Sequence, residues 1–379
     1  MTIGIIDAVE WQSTVDMATG RVVQAESPLI SLARGIQRDF RYPGDQNSAS
    51  SEWVTDVGLA LSSRYRPDFI FLNYANPSFF GIFGGDGGVS ASESIGFAFD
   101  AVSRFVEESG YTPVILGSGG MLPLKERINI SGLDGLENIT GPVPSCATVT
   151  APSEGDLDLL GSDPRIRTIM RAEEYIERFS PCAEQIPRIP NLILGAEEGY
   201  IFRGFGGMSR PIHSIPASES EIPVHSEIGP VSAITDIKSL ILEHLSEDEK
   251  IALIMVEGVG TENFPLPYTP CANTDKGFAY QQGAGQYLAL LTGDSIGRQP
   301  FPPACDHYRE DGEESAYPFS GYFTSLPENS LGREYAGRSA AVGSRSIFTH
   351  ATPGTDITVE CCARNLYNFG TLSTIQERR

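Results

Sequence analysis

The stretch DFIFLNYANPSFFGIFGG, residues 68–85, decides the fold class of this chain. Its first half contains an uninterrupted apolar run from Phe69 to Leu72, which is typical of a strand buried on both faces of a parallel sheet. Its second half is rich in asparagine, proline, serine and glycine, which favours a loop directly after the strand. That loop offers few side chains that could bind a metal ion or transfer a proton.

Short apolar runs that end in small or polar residues recur along the chain and predict further strands. They alternate with amphipathic segments that have serine at the expected N-cap, namely Ser50 or Ser51 and Ser90 or Ser92. This alternation predicts an α/β protein, a three-layer sandwich with a mostly parallel sheet and an elaborated C-terminal half. The predicted strands lie at residues 3–7, 69–73, 113–120, 191–195, 251–258 and 287–293, and the predicted helices at 50–65, 90–109 and 233–245.

The domain organisation follows from where this alternation weakens. Gly, Pro, Ser and Asp dominate much of residues 125–190, and 204–230 and 294–345 are also irregular. A chain of 379 residues suits one large α/β domain or two domains. We therefore divide it into an α/β core over 1–125, a loop-rich insertion or connection over 126–230, and the remainder of the fold or a second α/β subdomain over 231–379.

The composition limits the classes of partner. The chain has 27 Lys and Arg against 49 Asp and Glu, so its formal charge is 27 − 49 = −22. Such an acidic protein is poorly suited to nucleic acid or to an anionic membrane surface. No apolar run approaches the roughly 18 residues of a membrane span, and the six cysteines lack CxxC or CxxH spacing. We expect an acidic cytoplasmic protein with free thiols, whose long ordered loops could support an oligomer.

Residues 1–125 resemble the cofactor-independent phosphoglycerate mutases of the alkaline phosphatase superfamily. The resemblance is carried by an acid-Val-Thr-Asp run in a helix, by an Asp-led strand that enters an Asn-aromatic-Ala-Asn-Pro loop, and by a later strand that ends in VILGSGGM. It implies an alkaline-phosphatase-like sandwich with two divalent cations held by Asp and His around a serine nucleophile. The matching residues are Asp7, Glu52, Val54, Thr55, Asp56, Asp68, Asn73, Tyr74, Ala75, Asn76, Pro77, Gly81 and Asp100.

The departures from this pattern fall on its metal ligands. The ligand aspartate of the Asn-Pro-Asp loop falls on Ser78 and the histidine after it on Ile82. The Asp-His pair of the later strand falls on Ser118 and Gly119. The nucleophile-bearing run has no counterpart. We therefore expect a degenerate metal site with no cofactor, in a metal-free binding or assembly protein or a metal-free enzyme acting on a small anionic substrate.

The alternative is a metal-dependent phosphomutase or phosphohydrolase. It would hold Mn²⁺ or Zn²⁺ through ligands that have moved elsewhere, such as Asp7, Asp86, Glu257 and the histidines. The partner of the metal-free protein would be a small anionic molecule or another protein.

Functional groups gather at the carboxyl ends of strands in open parallel sheets, and we use this rule to predict the site residues. We assign no metal ligand. As catalytic candidates the sequence offers Asp7, Ser78, Ser118 and Cys271, and as substrate-binding candidates Asn73, Asn76, Gly119, Gly120 and Arg345. Glu257 and Asp294 also follow apolar runs.

Each candidate also has a structural alternative. The asparagines could hold their own loop through backbone hydrogen bonds. Ser118 stands in a glycine-rich turn that could bind an anion through its N–H groups. Cys271 could be a reactive thiolate or a buried structural cysteine. Arg345, in GRSAAVGSRS at 337–346, could bind an anion or belong to a packed strand and turn.

Overall fold

A large central sheet organises the structure, which is a computed structural model. The structure describes residues 2–6, 13–16, 21–84, 88–139, 143–183, 185–204, 211–298, 336–344, 355–362 and 370–376. The strands are β1 Thr2–Ile6, β2 Ser13–Asp16, β3 Arg21–Val23, β4 Phe69–Tyr74, β5 Thr112–Gly117, β6 Met121–Pro123, β7 Glu126–Ile128, β8 Leu136–Asn138, β9 Cys146–Thr150, β10 Ile166–Arg171, β11 Leu192–Ala196, β12 Tyr200–Phe202, β13 Ser214–Pro216, β14 Glu221–Ser226, β15 Ile251–Val256, β16 Thr269–Ala272, β17 Thr274–Asp275, β18 Phe278–Ala279, β19 Ser339–Gly343, β20 Ile357–Cys362 and β21 Gly370–Gln376.

Helices cover both faces of this sheet. The α-helices are α1 Pro28–Asp39, α2 Ala49–Arg64, α3 Asn76–Phe83, α4 Ala91–Ser109, α5 Glu154–Ser162, α6 Ala172–Phe179, α7 Ile237–Leu245 and α8 Ala284–Thr292. Short 3₁₀ turns lie at Ile186–Arg188, Ile234–Asp236 and Ile296–Arg298. None of the described helices is both long and apolar enough to span a lipid bilayer.

The central strands run parallel. The described part of the sheet has the order β16-β14-β5-β15-β4-β19-β20-β21-β1-β2-β3. Strands β5, β15, β4, β19 and β20 pair parallel to one another, whereas the pairings outside them are antiparallel. The predicted α/β class with a central parallel sheet is therefore confirmed.

Alternation along β4 shows how the sheet separates two helical layers. Ile70 and Leu72 face one apolar core together with residues of α1, α2 and α4. Phe69 and Phe71 face a second core with residues of α6, α7 and α8. All four side chains are fully buried, as expected for a strand covered on both sides.

The weakly patterned region between residues 126 and 230 is more regular than its composition indicates. It contains an antiparallel sheet of order β10-β11-β9-β8, with α5 and α6 beside it. Val149, Leu160 and Leu194 belong to a separate apolar core there. Strand β11, predicted at 191–195, forms but joins this smaller sheet.

Two predictions of secondary structure were wrong. The run at 287–293, predicted as a strand, lies in helix α8 and its C-cap, and the loop expected after Asn76 is largely helix α3. Periodicity cannot separate a short buried helix from a buried strand, because both are apolar throughout. The N-cap at Ser90 is confirmed by a capping box with Glu93, whereas α2 begins at Ala49, so its capping position is Ser48.

Candidate functional site

The candidate site is the edge where the parallel strands β5, β15, β4 and β19 end. Ser118 follows β5 directly, Glu257 follows β15 and Ser344 follows β19, while Asn73 lies near the end of β4. Since parallel strands end at the same edge, these residues are brought together although they are far apart in the chain. All four side chains are buried.

Glu257 is the centre of one hydrogen-bonded cluster at this edge. Its Oε1 accepts a hydrogen bond from Asn73 Nδ2 at 2.9 Å and another from the hydroxyl of Tyr287 on α8. Glu257 is only 1% exposed. A buried carboxylate without hydrogen-bond donors costs free energy of folding. The hydrogen bonds from Asn73 and Tyr287 reduce this cost. Asn73 Oδ1 is buried and, among the described residues, has no hydrogen-bond partner.

The Ser118 hydroxyl makes two hydrogen bonds, one as a donor and one as an acceptor. Ser118 Oγ donates to Gln282 Oε1 at 3.0 Å and accepts from the Gly258 N–H at 2.9 Å. Its carbonyl accepts from Gln286 Nε2 at 2.8 Å. A hydroxyl engaged in this way ties the turn after β5 to the turn after β15 and to the start of α8. The structure therefore gives Ser118 a positioning role.

Gly119 and Gly120 continue this turn, and a carboxylate from another segment reaches it. Gly119 has φ +113, which favours glycine, and its N–H donates to Val259 O at 2.9 Å. The Gly120 N–H donates to Glu219 Oε1 at 2.9 Å. Burial raises the pKa of Glu219, the Gly120 hydrogen bond opposes that rise, and the carboxylates of Glu262 and Glu198 add to it.

Asn76 and Ser78 lie in the first turn of α3. Asn76 Nδ2 donates to the carbonyls of Asp45 at 2.9 Å and Asn47 at 3.2 Å, so this asparagine holds the segment that precedes α2. Ser78 is 4% exposed, and its backbone packs against Gly258. These contacts favour the structural alternative for Asn76, and they leave the Ser78 side chain little access to solvent.

Cys271 lies in β16 within the apolar core and is fully buried. Burial raises the pKa of its thiol to about 12, with a smaller contribution from Asp236. The thiol therefore stays protonated near neutral pH. The structure supports the structural alternative for this cysteine. The candidates Asp7 and Arg345, together with Asp86, lie outside the described residues.

The sequence did not indicate four residues of this edge. Gln282, Gln286 and Tyr287 come from the start of α8 and the residues just before it, a region in which a strand was predicted from residue 287. Glu219 lies in a Pro- and Ser-rich stretch without periodicity. A helical interpretation of residues 284–292 would have identified the element that carries Tyr287 and Gln286, whereas no local signal indicated Glu219.

The residues at the metal positions of the resembling family do not fit a two-cation centre. Ile82 is buried in α3 and has no donor atom, Gly119 has no side chain, and the Ser118 hydroxyl is held as described above. Within the described ranges, the one group of three potential ligands is His244, Glu247 and Glu249. His244 lies in the last turn of α7, and Glu247 and Glu249 lie between α7 and β15, so the group is at the opposite, amino-terminal edge of the sheet.

A described surface depression beside β14 is lined by none of the residues that bond to Glu257 or Ser118. It has a volume of about 280 Å³ and is lined by residues that include Val224, Glu227 and Val231. The Glu227 N–H bonds to Pro113 O near the beginning of β5. One side of the depression thus lies near the beginning of β5, while Val224 pairs with Leu116 near the end of that strand.

Comparison with known proteins adds no family to these observations. A scan against protein-family models gives no match, and a search of curated proteins gives none at a significant level.

Proposed function

We propose that this chain is an alkaline-phosphatase-like protein without a two-metal centre, which binds a small anionic molecule at the carboxyl edge of its sheet. The observation that carries the proposal is the bonding of Ser118, which stands where the resembling family has an aspartate ligand. Its hydroxyl donates a hydrogen bond to Gln282 and accepts one from the Gly258 N–H. These bonds hold neighbouring segments of the protein together.

The surrounding donor set supports the same proposal. Two adjacent divalent cations need several carboxylate and imidazole ligands that converge on one point. Glu257 is the carboxylate found directly at the ends of β5, β15, β4 and β19, and it accepts hydrogen bonds from Asn73 and Tyr287. In the described part of the chain, no group of three His, Cys, Asp or Glu ligands includes Glu257.

Elemental analysis of the purified protein tests the metal-free proposal. Manganese, zinc and magnesium would be measured before and after dialysis against chelator, for the wild type and for Glu257→Gln. We expect well under one equivalent per chain in both proteins. Two equivalents that resist dialysis in the wild type and are lost in Glu257→Gln would overturn the proposal and favour a metal-dependent phosphomutase or phosphohydrolase with relocated ligands.

An activity assay provides the matching functional test. We expect no hydrolysis of p-nitrophenyl phosphate and no interconversion of phosphoglycerate isomers, with or without added Mn²⁺. A cofactor-independent phosphoglycerate mutase, assayed in parallel, would show that the conditions support turnover. Mn²⁺-dependent turnover that chelator abolishes would contradict the proposal.

Metal-free catalysis is a second candidate, favoured by the contact between Tyr287 and Glu257. A phenol that donates to a carboxylate is a pair able to hold and move a proton. A screen of phosphate and carboxylate esters with chelated protein would test it. Turnover that is lost in Tyr287→Phe, with the fold retained, would favour an enzyme over a binding protein.

A further inference from the structure

Two glycine-containing turns at the candidate edge enclose a carboxylate of the protein itself. The turn after β5 contributes Gly119 and Gly120, and the turn after β15 contributes Gly260. Glu219, from the connection between β13 and β14, places Oε1 at 2.9 Å from the Gly120 nitrogen. We call the space between these three glycines the glycine niche.

Glycine at position 120 leaves room for the carboxylate. A Cβ atom at Gly120 would lie 2.9 Å from Glu219 Oε1, and one at Gly260 would lie 2.6 Å from the same oxygen and 2.7 Å from the Gly120 nitrogen. Apart from Glu219, the nearest atom to the Gly120 Cβ position is Gly260 Cα at 4.0 Å. Glycine at 120 is therefore explained by the seated carboxylate and by no other close contact.

We propose that the glycine niche is an anion-binding site which the Glu219 carboxylate occupies as an internal plug, and that a carboxylate or phosphate group of a ligand replaces it. This inference rests on the proposed function, because it specifies how an anionic molecule would be held. The Gly120 N–H is the backbone donor of the niche, because the Gly119 N–H donates to Val259 O and the Gly260 N–H donates to Asn263 Oδ1. Backbone N–H groups in glycine-rich turns after strands are suited to oxyanions, and glycine at 120 admits the oxyanion close to the backbone.

The plug is weakly held. Glu219 Oε2 is inaccessible to solvent and, among the described residues, has no hydrogen-bond partner. The nearby carboxylates of Glu262 and Glu198 repel it, and no cation contributes to the interactions described for it. A carboxylate that has one oxygen without a hydrogen bond and like charges nearby contributes little favourable free energy in this position.

Only the side chain of Glu219 has to move. The backbone of its segment is anchored, because the Ala217 N–H donates to Gly120 O at 2.9 Å and Asn273 Nδ2 donates to Glu219 O at 3.0 Å. Rotation of the side chain would empty the niche while β13 and β14 stay in place. Glu219 can therefore leave the niche through a change of side-chain rotamer, while its backbone stays anchored.

The start of α8 borders the niche and favours an anion there. Gln282 Nε2 donates to Gly120 O at 2.8 Å, and α8 begins two residues later at Ala284. No side chain caps this helix. The partial positive charge of a helix N-terminus attracts anions within the first turn.

Isothermal titration of chelator-treated protein with inorganic phosphate at fixed ionic strength tests the niche. Glu219→Ala empties it, and we expect phosphate to bind at least about tenfold more tightly than to the wild type. Glu262→Gln removes one negative charge from an exposed neighbour and leaves the plug in place, so any gain in its phosphate affinity should be small compared with that of Glu219→Ala. Equal affinity of Glu219→Ala and wild type would overturn the proposal.

A second substitution locates the bound phosphate. Gly120→Ala in the Glu219→Ala background fits sterically, because the only close contact of the new methyl group is with the deleted carboxylate. We expect this double variant to keep its fold by circular dichroism and to lose the gain in phosphate affinity. Retained affinity would place the phosphate elsewhere and overturn the proposal. If Glu219→Ala does not fold, Glu219→Ser carries the same expectations.

The outcome is separable from that of the metal analysis. Bound metal in the wild type would defeat the metal-free proposal and leave the result for the chelated variants valid. A failure of Glu219→Ala to gain phosphate affinity, in a protein without metal, would defeat the niche alone.

Discussion

At the scale of single residues, Glu219 is the group at the candidate edge whose charge depends on its surroundings in a testable way. Its pKa in the folded protein is raised above the ordinary value of 4.5, mainly by burial. The folded state therefore holds this proton more tightly than the unfolded chain does. The resulting stability is fully present below pH 4.5 and is lost as the pH rises through the raised pKa.

Glu219→Gln tests this pH dependence. The amide keeps an oxygen for the Gly120 N–H but cannot ionise, so we expect the melting temperature at neutral pH to rise by about 1–3 °C relative to the wild type. The difference should disappear at acidic pH, where Glu219 is protonated. Melting curves across the pH range measure it, with Glu262→Gln as the control for charge. A lower melting temperature at neutral pH would show that the ionised plug stabilises the fold.

The cysteines give a second prediction for individual side chains. Cys271 is fully buried and has a pKa of about 12, whereas Cys182 is exposed. Alkylation of the native protein with iodoacetamide at pH ~8, followed by peptide mass spectrometry, should modify Cys182 and spare Cys271, because the thiolate is the reactive form. Both should react after unfolding. Rapid native labelling of Cys271 would restore it as a candidate nucleophile.

Residue types at strand ends were predictable, but their bonding was not. The rule that functional groups collect at carboxyl ends indicated Asn73, Ser118 and Glu257, and the structure brings these residues to one edge. Their partners come from segments distant in the chain, such as Tyr287 and Gln282. A sequence pattern reports neighbours along one element, and it has no means of pairing Gly120 with Glu219.

At the scale of elements, the contact between α3 and the turn after β15 depends on Gly258. This residue has φ +78, and a Cβ atom there would lie 2.9 Å from both the nitrogen and Cα of Ser78. The neighbouring atoms are backbone and cannot move away as a flexible side chain would. The glycine thus allows the first turn of α3 to pack against the end of β15.

Gly258→Ala should destabilise the protein by about 2–4 kcal/mol, through the unfavourable φ and the clash with α3. The matched control is Gly96→Ala in α4, where the position is exposed and a Cβ would meet no atom within 4 Å. We expect that change to stabilise by up to about 1 kcal/mol, because alanine is the better helix former. Urea unfolding of both variants measures the difference. Equal stabilities would mean that α3 and this turn can separate freely.

Element type was predictable where the pattern was long and uncertain where it was short. Helix α4 has 19 residues and a capping box, and its sequence predicted its type and gave its N-cap, Ser90, as one of two alternatives. Helix α8 has nine residues, nearly all of them apolar, and so it was mistaken for a strand. Burial on all sides removes the periodicity that distinguishes the two. Because α8 carries Tyr287 and Gln286, this single error concealed both of these residues of the candidate site.

At the scale of the whole molecule, the formal charge of −22 is the dominant electrostatic property. Like charges distributed over a compact surface repel one another and oppose folding. The ion pairs that offset this repulsion, such as Arg64 with Asp39 and Arg104 with Glu52, are largely exposed. Exposed pairs contribute only about 0–1 kcal/mol each. Screening should therefore weaken the repulsion more than it weakens these pairs.

We accordingly expect NaCl to raise the melting temperature by several degrees as the ionic strength increases from about 0.02 M to about 0.3 M, where the Debye length falls below about 8 Å. MgCl₂ at equal ionic strength provides the sharper comparison. A protein without a two-metal centre should gain about as much from MgCl₂ as from NaCl, because diffuse screening depends mainly on ionic strength. A much larger gain from MgCl₂ would reveal specific binding. His244→Ala would then separate the His244, Glu247 and Glu249 group from a site at the carboxyl edge, and only a gain that survives this substitution would contradict the metal-free proposal.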